Sequence, residues 1–188
     1  MTAQKRPPEG GASLECLFGY DSLSATELGD LLHCLARFGF VPREDASLFF
    51  IDSEGIPHTG RGDAQQPKAV GARLHGFLGG VPAEAAVTVD LIDNVVSVSV
   101  PEDVLWAGVS PPRPQDDRLR DWFAFCGGVV AWRRPLTIAI GSEPAHPAEV
   151  AARADRIPQR FRFTDDSLSP AARNELLRWY ADVYLQRW

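Results

Sequence analysis

The spacing of apolar residues changes several times along this chain, and each change marks an element. Leu14 to Tyr20 is apolar enough for a first strand. Leu28, Leu31, Leu32 and Leu35 then recur at i, i+3, i+4 and i+7, the stripe of an amphipathic helix. Ser24 and Glu27 form an S-x-x-E capping box ahead of it, Leu23 and Leu28 occupy hydrophobic-staple positions, and Gly39 supplies the stop. Glu27, Asp30, Cys34 and Arg37 fall on the opposite side and read as its solvated face. Ser47 to Asp52 reads as a second strand. The polar stretch 53–66, punctuated by Gly55, Pro57, Gly60 and Gly62, reads as a long loop, a form that is usually functional or mobile. Val70, Leu74, Phe77 and Leu78 predict a short helix closed by Gly79-Gly80.

The next signal is strict alternation. Ala86 to Ile92 and Val95 to Val100 flank Asp93-Asn94, which predicts a hairpin with a two-residue turn. In that register Leu91 faces Val96, Val89 faces Val98 and Val87 faces Val100, while Thr88, Asp90, Ser97 and Ser99 take the polar side. Glu102 to Trp106 predicts a short helical turn. Leu119, Trp122, Phe123 and Cys126 predict a helix begun by Asp116 and Asp117 and stopped by Gly127-Gly128. Val129 to Trp132 fits a short strand but is ambiguous, and Leu136 to Ile140 alternates as a strand. Further on, Pro147 to Arg156 fits a short helix and Gln159 to Thr164 a strand. A final helix is capped by Ser169 and Pro170, with Ala172, Leu176, Leu177, Tyr180, Val183 and Tyr184 on its stripe. This order predicts an α+β fold. A flexible tail over residues 1–12 precedes a single domain over residues 13–188. Its sheet is largely antiparallel or mixed, of about five strands, with helices packed on the apolar face.

Composition narrows this picture. A chain of 188 residues is too short for two full domains with separate cores. Hydrophobic residues at 45% and charged residues at 23% exclude a disordered chain. No apolar run reaches the ~18 residues of a membrane-spanning helix. Cys16, Cys34 and Cys126 are scattered and form no C-x-x-C, so neither a zinc ribbon nor a redox pair of that type is encoded. The first residues carry no apolar segment behind their basic pair, and the expected location is a reducing cytoplasm. The net charge of −6 is uneven: residues 1–110 carry −8 and residues 111–188 carry +2. An acidic half disfavours nucleic acid and anionic membrane and favours a basic partner. Of the basic side chains, 17 are Arg and 2 are Lys, a bias that fits phosphate recognition or simply a GC-rich coding sequence.

Candidate chemistry is sparse. Neither a phosphate-cradling glycine motif nor a G-x-S-x-G elbow occurs. The four histidines form no H-x-x-x-H or H-E-x-x-H pair. Two clusters could carry acid–base work: Glu143, His146 and Glu149 after a strand end, and His58 with Asp52 and Glu54 in the long loop. The first reads more readily as helix-start capping, and the second as a solvated loop. Arg61-Gly62-Asp63 reads as a chance tripeptide. Five tryptophans exceed what most chains of this length contain; Trp122 fits a core stripe, and the surplus fits either core rims or an interface. No metal site and no cofactor is expected. The sequence therefore reads as a non-catalytic protein-binding domain of inhibitor, immunity or adaptor type. Its acidic surface would be Glu27, Asp30, Glu44, Asp45, Asp52, Glu54 and Asp63, and its partner another, basic, protein. The alternatives are a small enzyme built on one of the Glu/His clusters and a structural subunit of a larger assembly.

Overall fold

The computed structural model describes residues 13–44, 47–60, 66–106 and 116–141. The expected N-terminal tail lies outside these residues, as do the three elements expected after residue 141. Seven strands form one sheet: β1 (Ser13–Gly19), β2 (Leu48–Ile51), β3 (Pro57–Thr59), β4 (Ala69–Leu78), β5 (Val81–Asp90), β6 (Val95–Pro101) and β7 (Thr137–Gly141). Their order is β3-β2-β4-β5-β6-β1-β7, and every neighbouring pair is antiparallel. The helices are α1 (Glu27–Ala36), α2 (Glu102–Trp106) and α3 (Asp116–Trp132). The α+β class stands, with a sheet larger than the five strands expected.

Alternation sorts the sheet into two faces. Leu14, Cys16 and Phe18 of β1 align with Val100, Val98 and Val96 of β6, and these with Val87 and Val89 of β5 and Leu74 of β4 to make one apolar face. That face is buried beneath Trp122, Phe125, Cys126 and Val129 of α3 and Leu31 and Leu35 of α1. Phe40 packs against Phe125 with ring centroids 4.4 Å apart. The other face carries Glu15, Arg73, Thr88, Ser97 and Ser99.

Four local expectations are corrected. Residues 69–78 are a strand, β4, and not a helix. Its inward positions include Ala72 and Gly76, and the missing bulk comes from Phe40, whose ring lies over Gly76 so closely that an added Cβ would stand 2.8 Å from its Cγ. Phe77, which completed the apparent helical stripe, is 64% exposed. The β5–β6 hairpin is shifted by two residues: Val89 pairs with Val96 and Val87 with Val98. Asp90 sets that shift. Its Oδ1 accepts the N–H groups of Ile92 (2.8 Å) and Asp93 (2.9 Å), and Asn94 closes the four-residue turn at φ 54°. A shift of two returns every side chain to its expected face.

The third correction is that α3 runs through Gly127-Gly128 to Trp132. Gly128 lies against α1, where a Cβ would stand 2.7 Å from the Phe38 ring, so the glycine serves close helix packing. Cys34 accordingly faces α3, its Sγ 3.5 Å from the Gly128 carbonyl oxygen, and does not sit on a solvated face. Fourth, the polar stretch after β2 is not all loop. It folds back as β3, pairing Phe50 with His58.

The capping box forms by half. The Ser24 N–H donates to Glu27 Oε2 at 2.7 Å, while the Ser24 hydroxyl turns to the same carboxylate and leaves the helix N–H groups uncapped. Arg133, just past α3, ties this corner. It donates to Asp21 Oδ1 (2.7 Å), Glu27 Oε1 (3.0 Å) and the Ser22 carbonyl (2.8 Å), and lies over the Tyr20 ring.

Candidate functional site

The outer end of the sheet holds the most site-like geometry. β2 pairs with β4 over Ala69–Ala72, so Leu48, Phe50 and Val70 point to the helix-bearing face beyond the reach of α3. Leu28, Gly29 and Leu32 of α1, with Ala25 in the turn just before it, present one side of the helix to them. Between the two lies a cleft of 410 Å³, bounded also by Gly60 and Pro67. The side chains that line it are aliphatic and aromatic, and the main chain adds a polar part to its walls. Among the described residues it stays open because Ala25 and Gly29 have nothing to fill it with; a Cβ added at Gly29 meets none of their atoms within 4 Å.

His58 stands at the margin of this cleft. It pairs with Phe50 across β2–β3, shares its face, and stacks on its ring at 4.8 Å with planes 13° apart. His58 Nε2 is 2.8 Å from Asp52 Oδ2. Asp52 Oδ1 accepts the N–H groups of Glu54 and Ile56, each at 2.9 Å, so one carboxylate both turns the hairpin and holds the imidazole. The His58 hydrogen bond, then the Ile56 N–H, hold the Asp52 carboxyl below its ordinary range. Two of the three loop residues named from sequence are thus brought together, and Glu54 is exposed at the hairpin tip beside them.

The remaining acidic candidates do not converge. Glu27 is paired with Arg133. Asp30 is exposed on the far side of α1, about 160° around the helix from Leu28. Glu44 is exposed ahead of β2. Asp45, Asp63, Glu143, His146 and Glu149 lie outside the described residues. Among the described residues no group of three or more His, Cys, Asp or Glu side chains could hold a metal ion, and no helix is long and apolar enough to cross a membrane. The cleft itself was not anticipated from sequence. Its signal was Gly29, a bare position in an otherwise well-formed helix. Compared with protein-family models, curated proteins and solved structures, the chain matches none.

Proposed function

We propose that this chain is a non-catalytic protein-binding domain whose site is the cleft between α1 and β2, occupied by apolar side chains of another protein. One observation carries the reading: a 410 Å³ apolar cleft stands open beside a fully packed core. Deep apolar pockets ringed by polar groups are where interface anchors seat. The acidic surface expected from sequence contracts to the hairpin end of the cleft. Asp52 and Glu54 lie there in the turn between β2 and β3, two carboxylates beside His58. Their charge favours a partner with a positive group next to its apolar anchor.

The test is a pull-down from source-cell lysate with wild-type chain and Gly29→Phe as paired baits, at low and high salt. Phenylalanine at position 29 fills the cleft from an exposed helical position and favours the helix over glycine. A partner held by the wild type and lost by a folded Gly29→Phe supports the reading. A partner held equally by both, or none at all, overturns it.

A second reading rests on the Asp52–His58 pair. A carboxylate that orients an imidazole at the edge of an apolar cleft is the arrangement of a general base, with Nδ1 left to face a substrate. Turnover of small apolar esters that vanishes in His58→Gln while Gly29→Phe leaves folding unchanged would favour that enzyme over the binding domain.

A further inference from the structure

Among the described residues, the helical layer stops short of one end of the sheet. Inward positions on β1, β6 and β5, such as Phe18, Val98 and Val87, are wholly buried. Leu48 and Phe50 of β2 and His58 of β3 share that face, yet the first two are half-buried and His58 is exposed. α1 is the last described helix on this side, and the 410 Å³ cleft lies past it. β3 stands two strand spacings outside β4, about 10 Å. That width matches one more helix packed beside α1.

The chemistry of the walls favours the same shape. No side chain lining the cleft can give or take a hydrogen bond, and at its floor the Leu48 carbonyl is already taken by the Gly60 N–H at 2.7 Å. An extended segment laid here would bury main-chain polar groups without partners, whereas a helix bonds its own. Nor is the open edge suited to an added strand. β3 is three residues long, Ile56 and Gly60 turn main-chain groups to β2, and Pro57 between them has no N–H to give. At the hairpin end stand the carboxylates of Asp52 and Glu54, with His58 beside Asp52.

We propose that the partner's anchor in this cleft is an amphipathic α-helix, apolar at i, i+3 or i+4, and i+7, with a Lys or Arg at the end that meets Asp52 and Glu54. The stretch from Ala25 to Leu32 gives it a seat about 10 Å long, or about two turns. Gly29 would admit one of its side chains, as Gly128 admits Phe38 where α3 crosses α1. The proposal rests on the reading of the cleft as a protein-binding site and adds the form of what binds.

The probe is a random library of displayed peptides about 16 residues long, enough for about four helical turns. It is selected on the full wild-type chain and counter-selected on Gly29→Phe, with Gly29→Leu in its place should the phenylalanine variant not fold. Enriched peptides are synthesised; fluorescence anisotropy gives their affinity and far-ultraviolet circular dichroism their helix content. The expected peptides carry apolar residues at the helical period and a basic residue at one end, and gain helix on binding. A central proline should weaken them by at least about tenfold. Glu54→Gln in the chain should weaken them by about twofold to fivefold, and by less in high salt. Peptides that alternate with a period of two, gain no helix or tolerate the proline overturn the proposal while leaving the cleft a binding site. Equal affinity for Glu54→Gln at low salt overturns the charged end of the helix. If no peptide distinguishes wild type from Gly29→Phe, the protein-binding reading of the cleft fails as well. A dimer of the chain alone that Gly29→Phe dissolves gives the cleft to a second copy, and also overturns the proposal.

Discussion

Gly71 offers the sharpest test of the sheet register. It sits in β4 between Phe49 of β2 and Thr88 of β5. A Cβ built there overlaps the Val87 carbonyl oxygen and the Phe49 ring, whose Cε2 would stand 2.8 Å away. The ring has room to swing toward solvent, since Phe49 is only half-buried. The carbonyl cannot yield without moving β5 in its ladder with β4 and β6. Overpacking typically costs about 1–3 kcal/mol. A main-chain obstacle puts Gly71→Ala at the top of that range, about 3 kcal/mol. At about 2–4 °C per kcal/mol for a chain of this size, Tm should fall by about 6–12 °C. Urea unfolding followed by tryptophan fluorescence measures the free energy, and scanning calorimetry the Tm. Phe49→Ala added to Gly71→Ala should recover about 1 kcal/mol in a double-mutant cycle, the share that belongs to the ring. The carbonyl share should remain. A loss below about 0.5 kcal/mol, the range of ordinary surface changes, would refute the register. Complete rescue by Phe49→Ala would refute the main-chain part of the reasoning.

The other perturbations probe separate parts of the molecule. Gly29→Ala places a methyl group in open space on an exposed helical position and should stabilise the chain by about 0.5–1 kcal/mol in the same urea assay. Burial pushes the Glu15 carboxyl above its ordinary range, so its ionised form is disfavoured in the folded state. That penalty is absent in acid and grows as pH rises through the glutamate range. Glu15→Gln should therefore raise Tm at pH 7, with the gap to wild type closing near pH 3. Arg133→Met keeps the packing over Tyr20 but removes the contacts to Asp21, Glu27 and the Ser22 carbonyl. Because these groups are substantially solvated, the loss should be about 1 kcal/mol and should shrink in high salt, read by urea unfolding at two ionic strengths. Of the three free thiols, half-buried Cys34 should react first with an aromatic disulfide reagent, and Cys16 and Cys126 only at the rate of opening; three equal rates would contradict the packing of α3.

Most elements were legible because their large residues fall on a single period. Leu31 and Leu35 announced α1, and Val87, Val89, Val96 and Val98 announced the central hairpin. Failures arose where tertiary packing supplied what the local pattern lacked. In β4 the inward positions Ala72 and Gly76 are small, and an exposed Phe77 gave the segment a false helical spacing. In α3, Gly127-Gly128 has the look of a stop, but Gly128 lies at a helix crossing, where Phe38 and Leu35 take the space that a side chain would have filled. The hairpin register was out of reach of facial patterning alone. Alternation has a period of two, so shifts of two are invisible to it, and the side chain of Asp90 decides among them.

The candidate site follows the same logic. Asp52 and His58 were visible as chemistry six residues apart, but as members of a loop. Only the return of β3 along β2 places His58 opposite Phe50 and turns two scattered polar residues into a braced pair. The cleft beside them is a feature of absence. Gly29 leaves the side of α1 bare and Ala25 the turn before it, while Leu28 and Leu32 stay only half-buried. Glycine inside an exposed helix costs about 0.5–1 kcal/mol relative to alanine, with no turn here to require it. In α3, Gly128 has a packing partner that accounts for it, whereas Gly29, like Gly127, has none among the described residues. A helix that tolerates this loss where no neighbour needs the space is consistent with space reserved for a partner. Gly29→Ala and Gly29→Phe separate the two effects, because both recover helix stability and only the larger side chain closes the cleft.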